Sequence, residues 1–113
     1  PAQSLQKRVA ALVEQAAALT GEMLAIAPDE VLVNDSYCAA GYGVLQPTEI
    51  EAIRSFARAD GILLDPVYTG RAAAGLIDLI RKGFFRRDET VLFWHTGGTP
   101  ALFAEPYAGL LGA

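Results

Sequence analysis

The sequence is short of the side chains that cross-link a chain or bind metals. Among its 113 residues there is one cysteine, Cys38, and one histidine, His95. A lone cysteine excludes an internal disulfide, which fits a cytoplasmic location. Metal sites in proteins combine several histidine, cysteine or carboxylate ligands at regular spacing, and the sequence has no such cluster. We therefore expect neither a disulfide-linked scaffold nor a metal centre.

The chain also lacks an excess of positive charge and any long apolar run. Its net charge is −4, whereas proteins that bind nucleic acids carry clustered lysine and arginine. The basic cluster, Arg81-Lys82 with Arg86-Arg87, is interpreted as a solvated helix end and loop, with an anion site as the alternative. No apolar run approaches the roughly 20 residues that span a bilayer. Neither a nucleic acid nor a membrane is therefore predicted as a partner.

Several familiar catalytic motifs are absent. There is no Gly-x-Gly-x-x-Gly turn, no Walker loop and no Gly-x-Ser-x-Gly nucleophile elbow. Without that elbow, a catalytic triad built on His95 is disfavoured. We interpret His95 as a hydrogen-bonded histidine at the end of a strand, with a catalytic base as the alternative.

Helical and apolar segments alternate along the chain. Periodicity and capping signals predict helices over residues 4–20, 48–60 and 71–82, and a short last helix from Thr99-Pro100. Short apolar runs predict three strands, at residues 31–33, 62–64 and 91–94. Strands that alternate with helices are typical of βαβ units. The predicted fold class is therefore α/β, a parallel sheet with flanking helices.

Two of the predicted strands are followed by segments rich in glycine and hydroxyl groups. These are the 65–70 segment, Asp65-Pro66-Val67-Tyr68-Thr69-Gly70, and the 95–100 segment, His95-Thr96-Gly97-Gly98-Thr99-Pro100. Open α/β sheets bind ligands just beyond the carboxyl ends of their strands. The two segments therefore predict one crevice for a small polar ligand.

A third loop places one aromatic residue between two glycines. Gly41 and Gly43 flank Tyr42, and glycines allow the backbone to turn sharply. The loop either presents the tyrosine ring to a ligand or is a tight turn with a packed tyrosine. The sequence pattern alone favours the tight turn.

Three longer stretches carry a resemblance to a known family. They cover residues 61–70, 74–83 and 91–103, with the sequences GILLDPVYTG, AGLIDLIRKG and VLFWHTGGTPALF. In order and spacing they resemble the C-terminal part of the D-cysteine desulfhydrase / 1-aminocyclopropane-1-carboxylate deaminase family, and residues 33–35 and 41–44 match it too. Those proteins are pyridoxal-phosphate enzymes of the tryptophan-synthase-β-like fold. The resemblance implies that residues 1–113 are the C-terminal portion of the large cofactor-binding domain, with 105–113 as a tail.

The resemblance also assigns roles to individual residues. It implies that Tyr42 and Tyr68 are catalytic residues that lie close to the cofactor and the substrate. The implied contacts with pyridoxal 5′-phosphate are Thr69, Thr96, Gly97 and Gly98. By the same resemblance the Thr96 hydroxyl meets the pyridine nitrogen. A neutral hydroxyl leaves that nitrogen largely unprotonated, which suits β-elimination better than transamination.

Family enzymes are much longer, and their Schiff-base lysine, catalytic serine and phosphate loop precede the part that matches here. The only lysines of this chain are Lys7 and Lys82, and both belong to polar surfaces of predicted helices. We therefore expect the 113-residue chain alone to be inactive. The implied partners are a small amino-acid substrate, the N-terminal remainder of the same enzyme and a second copy in a homodimer.

Two threonines favour one branch of the family. Deaminases of cyclopropane amino acids tend to carry glutamate where this chain has Thr69, and an aliphatic residue where it has Thr96. The expected reaction is α,β-elimination of D-cysteine, or a related D-amino acid, to pyruvate, sulfide and ammonia. The alternatives are 1-aminocyclopropane-1-carboxylate deamination, a non-enzymatic interaction module and a small flavodoxin-like binding domain. Arg71 replaces a lysine usual in the family, and we interpret that change as neutral because the charge is kept.

Overall fold

The regular elements of this protein are helices. The structure is a computed structural model, and it describes residues 2–38, 40–105 and 107–110. Its α-helices are α1 (Ala2–Leu19), α2 (Pro47–Asp60) and α3 (Thr69–Arg81), and its 3-10 helices are Pro28–Glu30 and Thr99–Phe103. The chain divides into two compact units, Pro1–Ser36 and Tyr37–Ala113.

The predicted helices are confirmed, but α1, α2 and α3 each begin one or two residues earlier than predicted, and the last helix is a 3-10 helix. Helix α2 begins at Pro47, and its N-cap is Gln46. The Glu49 carboxylate accepts a hydrogen bond of 3.0 Å from the Gln46 N–H, which is one half of a capping box. The helix ends at Asp60. Gly61 follows as its C-cap, with a φ of 68°, and donates its N–H to the Ala57 carbonyl.

The predicted parallel sheet is wrong. Within the residues that the structure describes, none of the three predicted strands (31–33, 62–64 and 91–94) forms a β-strand or a sheet. An apolar run forms a β-strand only where a neighbouring strand can complete its backbone hydrogen bonds. The α/β class, and with it a sheet belonging to a tryptophan-synthase-β-like domain, is therefore corrected to a helical architecture.

Residues 62–65 show why a sheet does not form there. The Ile62 N–H donates to the Phe56 carbonyl in the last turns of α2. The Leu63 carbonyl accepts a 3.0 Å hydrogen bond from the Thr99 hydroxyl. The Asp65 N–H donates to the hydroxyl of Thr69. These local bonds use backbone groups that a strand ladder would require.

Residues 91–94 are also unlike a buried strand. Leu92 and Trp94 are 80% and 76% exposed, whereas parallel strands covered on both faces bury such side chains. Phe93 points the other way and packs against Phe56 of α2, with 5.6 Å between the ring centroids. The run therefore attaches to the core through one aromatic side chain.

The core of the second unit lies between α2 and α3. Its members are buried apolar side chains: Ala52, Ile53, Leu64, Ala73, Ala74 and Leu102. Leu110, the last of the described residues, packs on this core, and Arg54 donates a hydrogen bond to the Leu110 carbonyl. Of the predicted tail 105–113, residues 106 and 111–113 lie outside the described residues.

The first unit consists of α1 and the segment that follows it. The Gln6 amide donates a 2.8 Å hydrogen bond to the carbonyl of Val31, which attaches that segment to α1. Among the described helices, none is both long and apolar enough to cross a membrane.

Candidate functional site

The 65–70 and 95–100 segments lie next to each other in the second unit. The Thr99 hydroxyl and the His95 ring both bond to the carbonyl of Leu63, at 3.0 and 3.1 Å. A Cβ atom placed on Gly98 would lie 2.8 Å from the side chain of Asp65. The two segments are therefore packed closely enough that no larger residue fits at Gly98.

Asp65 organises the first of these segments. Its carboxylate is buried and accepts hydrogen bonds from the N–H groups of Val67, Tyr68 and Thr69, at 2.7 to 2.8 Å. The Thr69 hydroxyl donates a fourth, at 2.6 Å. A carboxylate at this place satisfies N–H groups at the start of α3 and complements the positive end of its dipole.

These bonds determine the ionisation of Asp65. Burial alone would raise the pKa of the carboxyl group, because it disfavours the charged form. The hydrogen bonds from Thr69, Tyr68 and Val67 outweigh burial and hold the pKa of Asp65 below its usual value. The Asp65 side chain is therefore a carboxylate at neutral pH.

The hydroxyl of Thr69, a predicted cofactor contact, lies inside this network. Thr69 is buried, and its hydroxyl accepts from the Asp65 N–H at 2.8 Å while it donates to the Asp65 carboxylate. The described contacts of this hydroxyl therefore stabilise the start of α3.

The two predicted catalytic tyrosines meet. Tyr42 and Tyr68 are 26 residues apart in sequence, yet their hydroxyl oxygens lie 2.9 Å apart. Their rings are edge to face, with centroids 5.9 Å apart at an interplanar angle of 70°, a favoured geometry for an aromatic pair. Both rings are largely exposed, at 78% and 62%. Tyr42 is therefore presented to solvent, which corrects the packed-turn interpretation of its loop.

The contact between the two phenols changes the acidity of one of them. The hydrogen bond with Tyr42 raises the pKa of Tyr68 above its usual value, and the negative charge of Asp65 adds to the effect. Tyr68 therefore keeps its proton at neutral pH and can donate or accept a hydrogen bond.

The remaining predicted cofactor contacts lie in the 95–100 segment. Thr96 is exposed, and Gly97 and Gly98 have φ angles of +100° and +92°, which L side chains rarely adopt. At Gly97 no atom lies within 4 Å of the position a Cβ would occupy. This turn therefore leaves open space beside Thr96.

His95 fixes the start of the same turn. Its Nδ1 accepts a 3.0 Å hydrogen bond from the Gly97 N–H, so its Nε2 is the protonated nitrogen and donates to the Leu63 carbonyl. With both ring nitrogens engaged, His95 holds the turn, as the hydrogen-bonded interpretation of the sequence predicts.

Sequence reasoning gave no role to Asp65 and no positional role to Arg71. A signal for Asp65 was present, because Asp followed by Pro shortly before a helix is typical of a turn that satisfies helix N–H groups. Arg71 offered no local signal, since its partners lie 22 to 30 residues away in sequence.

Neither lysine of the chain resembles an imine-forming amine. Lys82 donates a 2.6 Å hydrogen bond to Asp78, and this bond and the Asp78 charge raise the pKa of Lys82. Lys7 is exposed on α1. Lysines that form imines readily are desolvated or lie beside another cation, which lowers their pKa.

The described residues fit one part of pyridoxal phosphate. The tyrosine pair exposes aromatic rings that could contact a flat ring, and the turn at Gly97 leaves open space. The start of α3 does not suit its phosphate, because the Asp65 carboxylate already takes the N–H groups there. The groups that would hold the phosphate and the aldehyde carbon are therefore not among these residues.

Comparison with known proteins leaves the family resemblance as a prediction. No model of a known protein family matches the chain. The described residues also contain no group of three or more histidine, cysteine or carboxylate side chains that could hold a metal ion.

Proposed function

We propose that this chain is the C-terminal part of a pyridoxal-phosphate-dependent lyase that acts on D-cysteine or a related D-amino acid. In this reaction D-cysteine and water become pyruvate, hydrogen sulfide and ammonia. The observation that carries the proposal is the contact between Tyr42 and Tyr68, at 2.9 Å. The family resemblance singles out these two residues, and the fold brings them together from distant parts of the sequence.

The bound cofactor would supply the electron-withdrawing chemistry that makes the α-carbon proton of the substrate acidic. The residues of this chain contribute binding and proton handling. Tyr68 stays protonated beside Tyr42, so the pair can orient a substrate group or pass a proton. Thr96 would hold the edge of the ring as a neutral hydroxyl. The reactive lysine belongs to another part of the enzyme. From the lone cysteine we infer that the enzyme is cytoplasmic.

The test uses the protein that contains this sequence together with the lysine-bearing part of the enzyme. Pyridoxal phosphate is added. Sulfide release is measured with D-cysteine and L-cysteine as substrates, and ammonia release is measured with 1-aminocyclopropane-1-carboxylate. Sulfide from D-cysteine is the expected result. Release of ammonia from the cyclopropane substrate alone would indicate the deaminase, and no product from any substrate would contradict both activities.

A threonine variant tests the predicted contact of Thr96. Thr96→Asp places a carboxylate where it would favour a protonated ring nitrogen, so the cofactor absorption spectrum should shift and elimination should slow. Thr90→Asp adds the same charge to a nearby exposed threonine and should change neither. An unchanged spectrum and rate in Thr96→Asp would contradict the assigned contact.

A further inference from the structure

Arg71 holds the loop that carries Tyr42. From the first turn of α3 its guanidinium donates to the carbonyl of Gly41 at 2.9 Å and to the carbonyl of Val44 at 2.8 Å. Its Nε donates to the Glu49 carboxylate at 3.0 Å. One side chain thus bonds both ends of the four-residue loop 41–44 and fixes it to α2.

The anchor of this arrangement is buried and engaged on both oxygens. Glu49 is 3% exposed, and its second oxygen accepts from the Gln46 N–H at the start of α2. Arg71 is therefore held in one orientation. A planar guanidinium can aim three N–H groups at three fixed acceptors, whereas a lysine ammonium is a single point at the end of a flexible chain. The replacement of lysine by arginine at this position is then not the neutral change that charge alone suggests.

The same loop has a second support at its centre. The Tyr107 hydroxyl donates a 2.7 Å hydrogen bond to the carbonyl of Gly43. Gly41 and Gly43 have φ angles of +97° and +70°, so the turn around Tyr42 depends on glycine conformations that are costly to order. Bonds from Arg71 and Tyr107 to the loop carbonyls offset this cost and favour one loop conformation.

We propose that Arg71 is a positioning residue, which holds the phenol of Tyr42 against that of Tyr68 through the carbonyls of Gly41 and Val44. The positioning itself follows from the contacts described above. Its consequence for catalysis, namely that the proton of the tyrosine pair is placed for the substrate, rests on the proposed function.

The test is a titration of the tyrosines by NMR, in protein labelled with 13C at the tyrosine Cζ. Tyr42→Phe and Tyr68→Phe assign the signals. The pKa of Tyr68 should fall toward the ordinary value of about 10 in Tyr42→Phe, because the phenol contact is lost while the Asp65 charge remains. In Arg71→Gln it should fall equally, because the loop is released. Loss of a positive charge alone would raise a phenol pKa, so the sign of the shift distinguishes positioning from a charge effect.

Arg81→Gln is the matched control. Arg81 also lies on α3 and pairs with an acid of α2, Glu51, at 2.6 Å, but it belongs to the last turn of α3, ten residues after Arg71. Its loss should leave the pKa of Tyr68 unchanged. An unchanged or higher Tyr68 pKa in Arg71→Gln, or an equal fall in Arg81→Gln, would overturn the proposal. Should Arg71→Gln fail to fold, Arg71→Lys is titrated instead, with the same fall expected and an unchanged value contradicting the proposal.

A separate measurement distinguishes this inference from the proposed function. Absence of sulfide release by the parent enzyme refutes the function and leaves the titration to decide on positioning. With an active parent, Arg71→Gln should lower kcat as much as Tyr42→Phe, on the order of 10²-fold for a misplaced proton donor or acceptor, with a smaller change in KM. A kcat equal to that of the parent would contradict the catalytic consequence.

Discussion

Replacing Asp65 with asparagine removes half of the acceptors at the start of α3. The two oxygens of the carboxylate each accept two hydrogen bonds, one oxygen from Val67 and Tyr68, and the other from the N–H and hydroxyl of Thr69. Asparagine has one oxygen, so its NH₂ group must face either the N–H groups of Val67 and Tyr68 or the N–H and hydroxyl of Thr69. In the first orientation two hydrogen bonds are lost. In the second the Thr69 hydroxyl can rotate and accept from the NH₂ group, so one is lost.

The expected cost follows from the strength of such bonds. Each hydrogen bond to a charged group contributes about 1.5–3 kcal/mol, so the loss of one or two in Asp65→Asn should lower the free energy of unfolding by about 1.5–6 kcal/mol. Domains have a total stability of about 5–15 kcal/mol. With a urea m value of about 1–3 kcal/mol/M, the lower estimate moves the unfolding midpoint by about 0.5–1.5 M. Circular dichroism in a urea titration measures this shift.

The control is an aspartate on the surface. Asp88 is exposed and pairs with the exposed Arg86, so Asp88→Asn should change the stability by less than about 0.5 kcal/mol. A cost below about 1 kcal/mol for Asp65→Asn, or an equal cost for both variants, would refute the reasoning. Should Asp65→Asn not fold, Thr69→Val removes the two hydrogen bonds that the Thr69 hydroxyl makes with Asp65, and Thr69→Ser retains them. Only Thr69→Val should then destabilise the protein.

Two further predictions concern the same contact region. Gly98→Ala should destabilise the protein more than Gly97→Ala, because both positions have positive φ angles but only the Cβ at Gly98 would lie 2.8 Å from Asp65; equal unfolding midpoints would contradict this. Because the pKa of Asp65 is lowered in the folded state, its stabilising effect should be complete above the ordinary aspartate pKa of about 3.9 and be lost as the pH falls below it. The free energies of unfolding of the parent and Asp65→Asn, measured by urea titration across this pH range, should converge in acid. A difference that stays constant with pH would contradict this prediction.

The helices of this protein could be predicted from the sequence because their signals are local. Helical periodicity, Pro47 at the start of α2 and Gly61 after its end all act within a few residues of the element they define. The strands could not be predicted this way. An apolar run such as Ile62-Leu63-Leu64 suits a buried strand or a buried loop equally, and the outcome depends on Thr99 and other residues more than 30 positions away.

The candidate site shows the same division. The tyrosines could be selected from the sequence only through a family resemblance, and their contact was not predictable from spacing. Arg71 could not be recognised at all, because its role depends on carbonyl groups of a distant loop. Backbone carbonyls are present at every residue, so a side chain that binds them leaves no pattern in the sequence.

The hydrogen bonds around residues 62–65 also protect the protein from association. An exposed apolar strand edge with free N–H and carbonyl groups is a template for pairing with another chain. Here the Leu63 carbonyl accepts from both Thr99 and His95, and the N–H groups of Ile62 and Asp65 are engaged within the same molecule. These backbone groups are therefore not available to pair with a second molecule. Side chains of this apolar run, such as Leu64, can pack in the core with little risk of aggregation through residues 62–65.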